Sequence, residues 1–422
     1  MSTLGAKKMA KELFLSNEVT NISTENKKKV LFVLGVLWGE NGITTHMLTL
    51  AKGLQKDGWE VGLATKLADN SPQALEQSQR AIRLFQSSGI KYYPVDFIRI
   101  NWKPQNIFNS LKSLAQLNHV IRDFHPSIMH VHSLSICPYI YPIHKFYNIP
   151  YISTCHVEPK LYVSSVKIGV KFKNITSMIA GQKVIAVSHR LREFFIETIG
   201  INEGNINSVH YGVDQEYFHP PSELERSIAR QDFGLTNDQK VVCIIGRLAT
   251  EKGHSTLLEA LAILRSQGID LTVLIVGQGY GTEKEDIVKV VEKLEVRDLV
   301  TFIGHSDPRK VFWASDIITL PSYENTESFG IVVAEAMLCG VVPIRTPGAG
   351  AIDQIEDTVN GYIVPFKDSD NLALRLKESF ENRDKLNEMV QASIHRAQER
   401  FTSIQMTSKI IDTYTELVDP CR

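Results

Sequence analysis

The chain has 422 residues, a formal net charge of -1 and a hydrophobic content of 43%. This length exceeds what one hydrophobic core usually holds and predicts two domains of about 200 residues each. The near-neutral charge excludes a nucleic-acid-binding protein that relies on bulk positive charge, so no nucleic-acid partner is expected. Five cysteines without paired or CxxC spacing favour reduced thiols in a cytoplasmic protein. No apolar run reaches the roughly 18 residues that a membrane span needs.

The first half of the chain reads as strands alternating with helices. Residues 1–28 form a polar leader without the apolar core of a signal peptide. VLFVLGVL (30–37) is a continuous apolar strand, and a helical pattern follows it. Further strands are WEVGLAT, KYYPVD, SIMHVHS, PYISTC and KVIAVS, with helices near 73–88 and 105–124. Continuous apolar strands separated by amphipathic helices predict a parallel sheet covered on both faces.

The same alternation restarts in the second half, where the strands read KVVCIIG, LTVLIVG, VTFIG, DIITL and VVPIR. Between the halves lies a polar stretch, 210–239, that contains Pro220 and Pro221 and has no strong apolar period. We therefore expect an N-terminal domain at 29–214 and a C-terminal domain at 215–400. The predicted fold is α/β, with two tandem Rossmann-like doubly wound domains that face one crevice.

Two loops that follow predicted strands are candidates for binding an anion. GENGITTH (39–46) places Gly42 at a helix start, where a phosphate or sugar can approach the backbone, although a tight turn explains the glycines equally well. GRLATEKG (246–253) carries Arg247 and Lys252 directly after a buried strand, and two cations there can hold a diphosphate. A solvated surface loop is the alternative interpretation.

A third loop raises a question about a buried charge. SYENTESFGIVVAEAMLCG (322–340) has Glu327 before a Ser-Phe-Gly turn and Glu335 in the middle of an apolar run. An ionised carboxylate among apolar neighbours is costly unless a partner hydrogen-bonds it. Either Glu335 faces solvent by helical periodicity, or it holds a ligand.

Together these residues resemble the retaining glycosyltransferases of family 4, which have the GT-B fold. The resemblance rests on the Glu-x7-Glu spacing, the SFG turn, the Arg-x4-Lys loop and the later VxPIR and NGYIVP segments, and it runs from about residue 30 to 418. It implies that a final helix, 401–418, crosses back to the N-terminal domain.

The resemblance also implies roles for single residues. Glu335 would hold the ribose of a nucleotide-sugar donor, and Glu327 would contact the hydroxyls of the donor sugar. Arg247 and Lys252 would neutralise the diphosphate leaving group, and His156 would lie on the acceptor side. The implied catalytic residues are His156, Arg247, Lys252 and Glu327. The other implied donor-binding residues are Gly42, Gly277, Gly304, Phe329, Gly330 and Ile331.

Three positions depart from the family pattern. Asn41 precedes Gly42 where the family often has a second glycine, and Tyr211 precedes Gly212 where it usually has asparagine. Gln354 stands where the family's Gly-Gly-x-x-Glu loop has glutamate. We expect these changes to affect loop closure or donor choice, because they remove no implied catalytic charge.

The predicted function is a retaining, metal-independent hexosyltransferase without a cofactor. The donor is expected to be a nucleotide sugar, above all a UDP-sugar, and the acceptor a glycan or a membrane glycolipid at the cytosolic face. The one Asp-x-Asp string, at 368–370, is interpreted as a helix N-cap rather than a metal site. The alternatives are a sugar phosphorylase, a nucleotide-sugar epimerase, a retaining glycosidase and a transferase-like subunit that only binds a partner.

A basic segment predicts peripheral contact with a membrane. Residues 160–183 carry five lysines, and Lys160, Lys167 and Lys171 share one face of a predicted helix. A basic amphipathic helix can lie on an anionic membrane surface. An ordinary surface helix with its apolar side in the core is the alternative.

Overall fold

The computed structural model describes residues 28–98, 104–157, 177–279, 282–304, 306–324 and 326–419. The strands of its first sheet are β1 Lys29–Leu37, β2 Glu60–Leu67, β3 Lys91–Pro94, β4 Ile128–Val131, β5 Tyr151–Cys155, β6 Lys183–Ala186 and β7 Ile206–Ser208. Their order is β3-β2-β1-β4-β5-β6-β7, and the pairings from β3 to β5 are parallel. The helices of this part are α1 Gly42–Lys56, α2 Pro72–Ser87, α3 Pro104–Phe124, α4 Cys137–Tyr147 and α5 His189–Phe194.

The second sheet is parallel throughout and has the order β10-β9-β8-β11-β12-β13. Its strands are β8 Val241–Ile245, β9 Thr272–Val276, β10 Val300–Ile303, β11 Ile317–Leu320, β12 Val342–Arg345 and β13 Tyr362–Ile363. Its helices are α6 Glu223–Asp232, α7 His254–Ser266, α8 Glu283–Lys293, α9 Pro308–Ala314, α10 Ile331–Leu338, α11 Ala351–Gln354, α12 Ser369–Glu381 and α13 Arg383–Arg400. The predicted α/β class with two Rossmann-like sheets is confirmed.

Each sheet has a buried apolar core of its own. Leu31, Val33, Val131 and Ile140 belong to a cluster between the first sheet and its helices. Val242, Ile275, Leu261 and Ile344 belong to the corresponding cluster of the second sheet. These residues are fully or almost fully buried, as the continuous apolar strands predicted.

By its internal contacts the chain divides into two compact units. The first comprises the described residues of 1–154, 175–184 and 411–422, and the second those of 155–174 and 185–410. The last helix, α14 Ser403–Val418, therefore ends in the first unit. There the Tyr414 ring lies 5.1 Å from the Trp59 ring, and its hydroxyl is 2.6 Å from Nδ1 of His130. The predicted return of this helix to the N-terminal part is confirmed.

The structure corrects only the end of the basic helix that was predicted for 160–183. Residues 158–176 lie outside the described part of the chain, but the end of the segment is described. Lys183 is the first residue of strand β6 and pairs with Glu416 at 2.8 Å, so it cannot belong to a basic helical face. Among the described residues, we find no helix that is long and apolar enough to span a membrane.

The polar stretch 210–239 contains a helix that its weak apolar period did not reveal. Ser222 caps α6 by accepting a hydrogen bond from the N–H of Glu225, whose carboxylate accepts one from the N–H of Ser222. This capping box is visible in the sequence as Ser-x-x-Glu, a pattern that predicts the start of a helix at this position.

Candidate functional site

The order of the second sheet brings two of the predicted loops together. Strands β8 and β11 are neighbours in the sheet, although β9 and β10 come between them in the sequence. The loop 246–253 leaves the carboxyl end of β8, and the loop 321–330 leaves the carboxyl end of β11. The strand order reverses between β8 and β11, and ligands of doubly wound sheets bind at such a point.

Lys252 and Glu327 form an ion pair across these two loops. The Nζ of Lys252 donates to Oε2 of Glu327 at 2.7 Å, and the two side chains are 20% and 16% exposed. Both side chains are thus largely shielded from water. In such surroundings an ammonium and a carboxylate interact more strongly than on an open surface. Two predicted catalytic residues are therefore in direct contact.

Arg247 lies on the same loop but has a different partner. Its guanidinium pairs with the carboxylate of Glu251, four residues further along, and both side chains are well exposed. An exposed pair of this kind is weak and can open at little cost. Arg247 is consequently available to an incoming anion. Lys252 can contact an anion only if it first separates from Glu327.

A buried arginine and a glutamine hold the Phe329–Gly330 turn from inside. Arg345, at the end of β12, is 1% exposed, and its guanidinium donates to the carbonyl of Phe329 at 2.8 Å and to the side-chain oxygen of Gln354. Gln354 in turn donates to the carbonyl of Gly330 at 3.0 Å. Burial lowers the pKa of Arg345 to about 10, so the guanidinium still carries its charge at neutral pH.

These hydrogen bonds fix the direction of two amide groups. In a planar trans peptide the C=O and the following N–H point in opposite directions. Because the carbonyls of Phe329 and Gly330 point inward to Arg345 and Gln354, the N–H groups of Gly330 and Ile331 point away from them. Gly330 has φ +77°, which favours glycine, and a Cβ there would lie 2.9 Å from the Leu320 side chain and 3.6 Å from Cγ of Glu327. Two outward amides thus lie beside the Lys252–Glu327 pair.

Glu335 lies in helix α10 between apolar sequence neighbours and is buried, with 8% of the residue exposed. Among the described residues, we find no donor that hydrogen-bonds this carboxylate. Burial raises the pKa of Glu335 to about 7. The possibility that Glu335 faces solvent is therefore wrong, and the alternative that it holds a ligand stays a prediction.

This burial predicts that Glu335→Gln stabilises the free protein at alkaline pH. The unfolded carboxyl loses its proton near its ordinary pKa of 4.5, whereas the folded one keeps it until about pH 7. The folded state binds more protons in this window, so wild-type stability falls as the pH rises, by at most about 3 kcal/mol. Melting temperatures of the two proteins should converge at pH 4.5 and diverge by several degrees at pH 8. Glu292→Gln, at an exposed helical position, serves as the control and should show no divergence.

Gly277 and Gly304 end neighbouring strands but have different surroundings. Gly277 has φ +142°, and a Cβ there would lie 1.8 Å from the carbonyl oxygen of Gly246. Gly304 is exposed, and a Cβ there would meet nothing within 4 Å. Gly277 is thus required by the packing of two loops, while Gly304 has space for a ligand.

We accordingly expect Gly277→Ala to lower the melting temperature strongly and Gly304→Ala to leave it unchanged. The first change forces a backbone clash at a φ that alanine rarely adopts, at a cost of roughly 1–3 kcal/mol or more. If Gly304 contacts the nucleotide, Gly304→Ala should bind nucleotide more weakly in a calorimetric titration and keep the melting temperature of the wild type. Equal melting temperatures for the two variants would contradict the difference in packing.

His156, the predicted acceptor-side residue, is buried and paired with Tyr211, which the sequence marked only as a departure from the family pattern. Its Nδ1 lies 2.7 Å from the hydroxyl of Tyr211. Burial, followed by the charge of Glu327, raises the pKa of Tyr211, so the phenol keeps its proton and can donate it to His156. Tyr211 also packs against the Phe329 ring at 5.4 Å, which links His156 to the turn that Arg345 holds.

Two further predicted donor-binding residues, Phe329 and Gly42, have different surroundings. Phe329 is a core side chain, 1% exposed, that stacks on His210 and contacts Phe401. Gly42 begins α1 in the first unit, where the side chain of Asn41 accepts hydrogen bonds from the N–H groups of Ile43 and Thr44. Asn41, which stands where the family often has glycine, therefore caps the helix. Its side chain satisfies two backbone N–H groups that have no acceptor within the helix.

The Asp-x-Asp string lies at the start of a helix. Asp368 is the N-cap of α12, and its side chain accepts a hydrogen bond from the N–H of Asn371 at 2.8 Å. The interpretation of this string as a helix cap is confirmed.

Comparisons with known proteins identify both halves of the chain. Residues 40–217 match the family "Glycosyltransferase Family 4", and residues 225–396 match the family "Glycosyl transferases group 1". The D-inositol 3-phosphate glycosyltransferase of Saccharomonospora viridis is 27% identical over 287 residues, which cover 64% of this chain and 65% of that protein. The chain thus matches slightly less than two thirds of that relative's length.

Solved structures share the fold at low sequence identity. A glycosyltransferase from Rickettsia africae is 21% identical, covers 93% of this chain and 99% of its own, and superposes with a TM-score of 0.77. HepE from Anabaena, solved in complex with UDP and glucose, is also 21% identical, covers 91% and 99%, and has a TM-score of 0.74.

Proposed function

The chain belongs to the family 4 glycosyltransferases of the GT-B fold, and from this membership we propose that it moves a hexose from a nucleotide sugar to an acceptor hydroxyl with retention of configuration. A UDP-sugar is the proposed donor, since HepE, of the same fold, was solved with UDP and glucose. A glycan or a membrane glycolipid is the proposed acceptor, although the name of the Saccharomonospora viridis relative gives D-inositol 3-phosphate instead.

One observation carries the proposal. The outward amides of Gly330 and Ile331 lie next to the Lys252–Glu327 pair at the reversal point of the second sheet. Amides held in a fixed outward direction close to an ion pair suit the binding of an anion, because little reorganisation is needed as charge develops. A departing diphosphate is the anion that such a site suits in this family.

The proposed roles of the side chains follow from their surroundings. Glu335 accepts hydrogen bonds from the ribose hydroxyls, which supply the donors that its buried carboxylate lacks within the described chain. Lys252 leaves Glu327 and turns to the diphosphate, which frees Glu327 to accept hydrogen bonds from the sugar hydroxyls. Arg247 adds a second cation to the diphosphate, and Gly304 leaves space for the base.

We propose a front-face substitution for the chemistry. The bond between the anomeric carbon and the diphosphate oxygen breaks, and the acceptor oxygen bonds to that carbon from the same face. The acceptor proton passes to the departing phosphate oxygen, so no protein nucleophile is required. Lys252 and Arg247 stabilise the negative charge that grows on the leaving group, a role that a divalent ion has in other transferases.

His156 and Gly42 are proposed to act on the acceptor side and at the first loop, respectively. The Tyr211 hydroxyl at Nδ1 holds the imidazole of His156 in one orientation. Peripheral contact with the cytosolic face of a membrane stays a prediction from the basic segment 160–183, of whose five lysines only Lys183 lies among the described residues.

A panel of nucleotide sugars, incubated with the protein and with candidate glycan and glycolipid acceptors, tests this proposal. We expect acceptor-dependent release of a nucleoside diphosphate, above all UDP, and the release should survive a chelator such as EDTA. Release of a sugar phosphate from a glycan would favour a phosphorylase, and isomerisation of the nucleotide sugar would favour an epimerase. Binding of the donor without any turnover would favour a non-catalytic subunit.

A further inference from the structure

A second group of polar side chains lies in the same unit but takes no part in the proposed transfer. It consists of His189 at the start of α5, His210 just before Tyr211, and Asp353 in α11. One potential ligand atom from each of the three lies within 4.8 Å of the other two. His189 lies before β7 and His210 just after it, and both approach Asp353 of α11.

Burial makes this group unusual. Asp353 is 3% exposed and His210 is 7% exposed, whereas the side chain of His189 is 55% exposed. The Oδ1 of Asp353 contacts Nδ1 of His189, and its Oδ2 accepts a hydrogen bond from the N–H of His189 at 3.1 Å. Burial acts to raise the pKa of Asp353, but the contacts with His210 and His189 outweigh it, and the net pKa is lowered.

One atom of the group is left without a hydrogen-bond partner. The Nε2 of His210 is buried and lies 3.5 Å from Oδ1 of Asp353, beyond a normal hydrogen bond. A buried ring nitrogen that has only this longer contact and no hydrogen bond costs free energy unless something binds it more closely. The nitrogen is aimed at the carboxylate oxygen that already contacts His189.

We propose that His189, His210 and Asp353 bind a divalent transition-metal ion of the Zn²⁺ type. Two imidazole nitrogens and one carboxylate oxygen are ligands that Zn²⁺ accepts, and its tetrahedral preference leaves a fourth position. The exposed side of His189 opens that position to water. The ion would satisfy Nε2 of His210 and replace the direct contact between His189 and Asp353. It has no part in the transfer chemistry proposed above.

The competing explanation is a purely hydrogen-bonded group that anchors α11. In that case His189 and His210 only offset the charge of the buried Asp353, and the unpartnered Nε2 is a tolerated cost. The two explanations differ in whether the group has measurable affinity for Zn²⁺.

Calorimetric titration of the full chain with Zn²⁺ alone, after removal of metals with a chelator, distinguishes them. We expect a site that His189→Ala and Asp353→Asn each weaken by at least about tenfold, since even changes behind the direct ligands cost about 10–100-fold. His395→Ala is the matched control, because His395 is an exposed histidine with one carboxylate neighbour, Glu399, and its variant should bind as wild type does. Zn²⁺ should also raise the melting temperature of the wild type and of the control, but not of His189→Ala.

Because His189 is largely exposed, its variant should fold, which a melting curve without metal checks. Wild-type affinity and stoichiometry in the His189→Ala variant would overturn the proposal, and so would a wild-type protein that does not bind Zn²⁺. Neither readout uses transferase activity, so a failure here leaves the proposed function untouched, and the reverse also holds.

Discussion

Lys252→Ala is expected to lower the kcat of sugar transfer by about 100- to 1,000-fold, the usual effect of losing one group that stabilises transition-state charge. The ammonium of Lys252 lies 2.7 Å from Glu327, at the loop where β8 ends and next to the outward amides of Gly330 and Ile331. The charge on the leaving diphosphate grows in the transition state, so kcat should fall more than donor affinity does. Steady-state kinetics with the best donor of the panel, together with calorimetric binding of UDP, measures both quantities.

Two variants make this result interpretable. Lys252→Arg keeps a cation at the site and should recover part of the lost turnover. Lys310→Ala is the matched control, since Lys310 also pairs with a carboxylate from a distant residue, Asp232, at 2.8 Å, but on the exposed surface. Wild-type kcat in Lys252→Ala would remove this residue from the mechanism. Lys252→Ala also leaves the Glu327 carboxylate without its cation, which can destabilise the fold. Melting curves therefore check that the variant is folded.

Arg345→Met is expected to destabilise the protein by about 2–4 kcal/mol and to lower kcat/KM for the donor at least tenfold. The change removes the donors to the Phe329 carbonyl and to the side-chain oxygen of Gln354, both of which are buried. Relief from burying a charged guanidinium offsets part of this cost. Without its anchor the turn loses the constraint that points the Gly330 and Ile331 amides outward.

A double-mutant cycle with Gln354→Met tests whether Arg345 and Gln354 act as one unit. If they do, the double variant should lose less stability than the sum of the two single losses. Arg375→Met is the control, because Arg375 stacks on Tyr362 and pairs with Glu378 away from the turn. Urea unfolding and donor kinetics of all four proteins supply the data. Independent, additive losses with wild-type kcat/KM would contradict the positioning role.

The strands and the loops of the site could be predicted from the sequence because their signals are local. An apolar run followed by Gly246 and Arg247 identifies the end of a buried strand within ten residues. In a parallel sheet such ends share one edge, which is why the loops of β8 and β11 lie at the same edge. The cap at Asp368 was predictable for the same reason, since it needs only the helix that follows it.

The partners within the site could not be predicted because they depend on packing between distant segments. Lys252 and Glu327 were identified separately, and no pattern signals that they pair with each other across 75 residues. Arg345 was seen only as part of the VxPIR strand, and Gln354 only as a departure from the family's glutamate. The structure shows that this glutamine is the neutral partner of a fully buried arginine, and Tyr211 at the usual asparagine position is the partner of His156.

The anomeric configuration of the product tests the central claim most directly. NMR of the transferred sugar, with an α-linked UDP-sugar as donor, resolves the coupling of its anomeric proton. We predict an α linkage, because the same-face substitution proposed here keeps the donor's configuration. A β linkage would contradict the retaining mechanism and the roles given to Lys252, Arg247 and the outward amides.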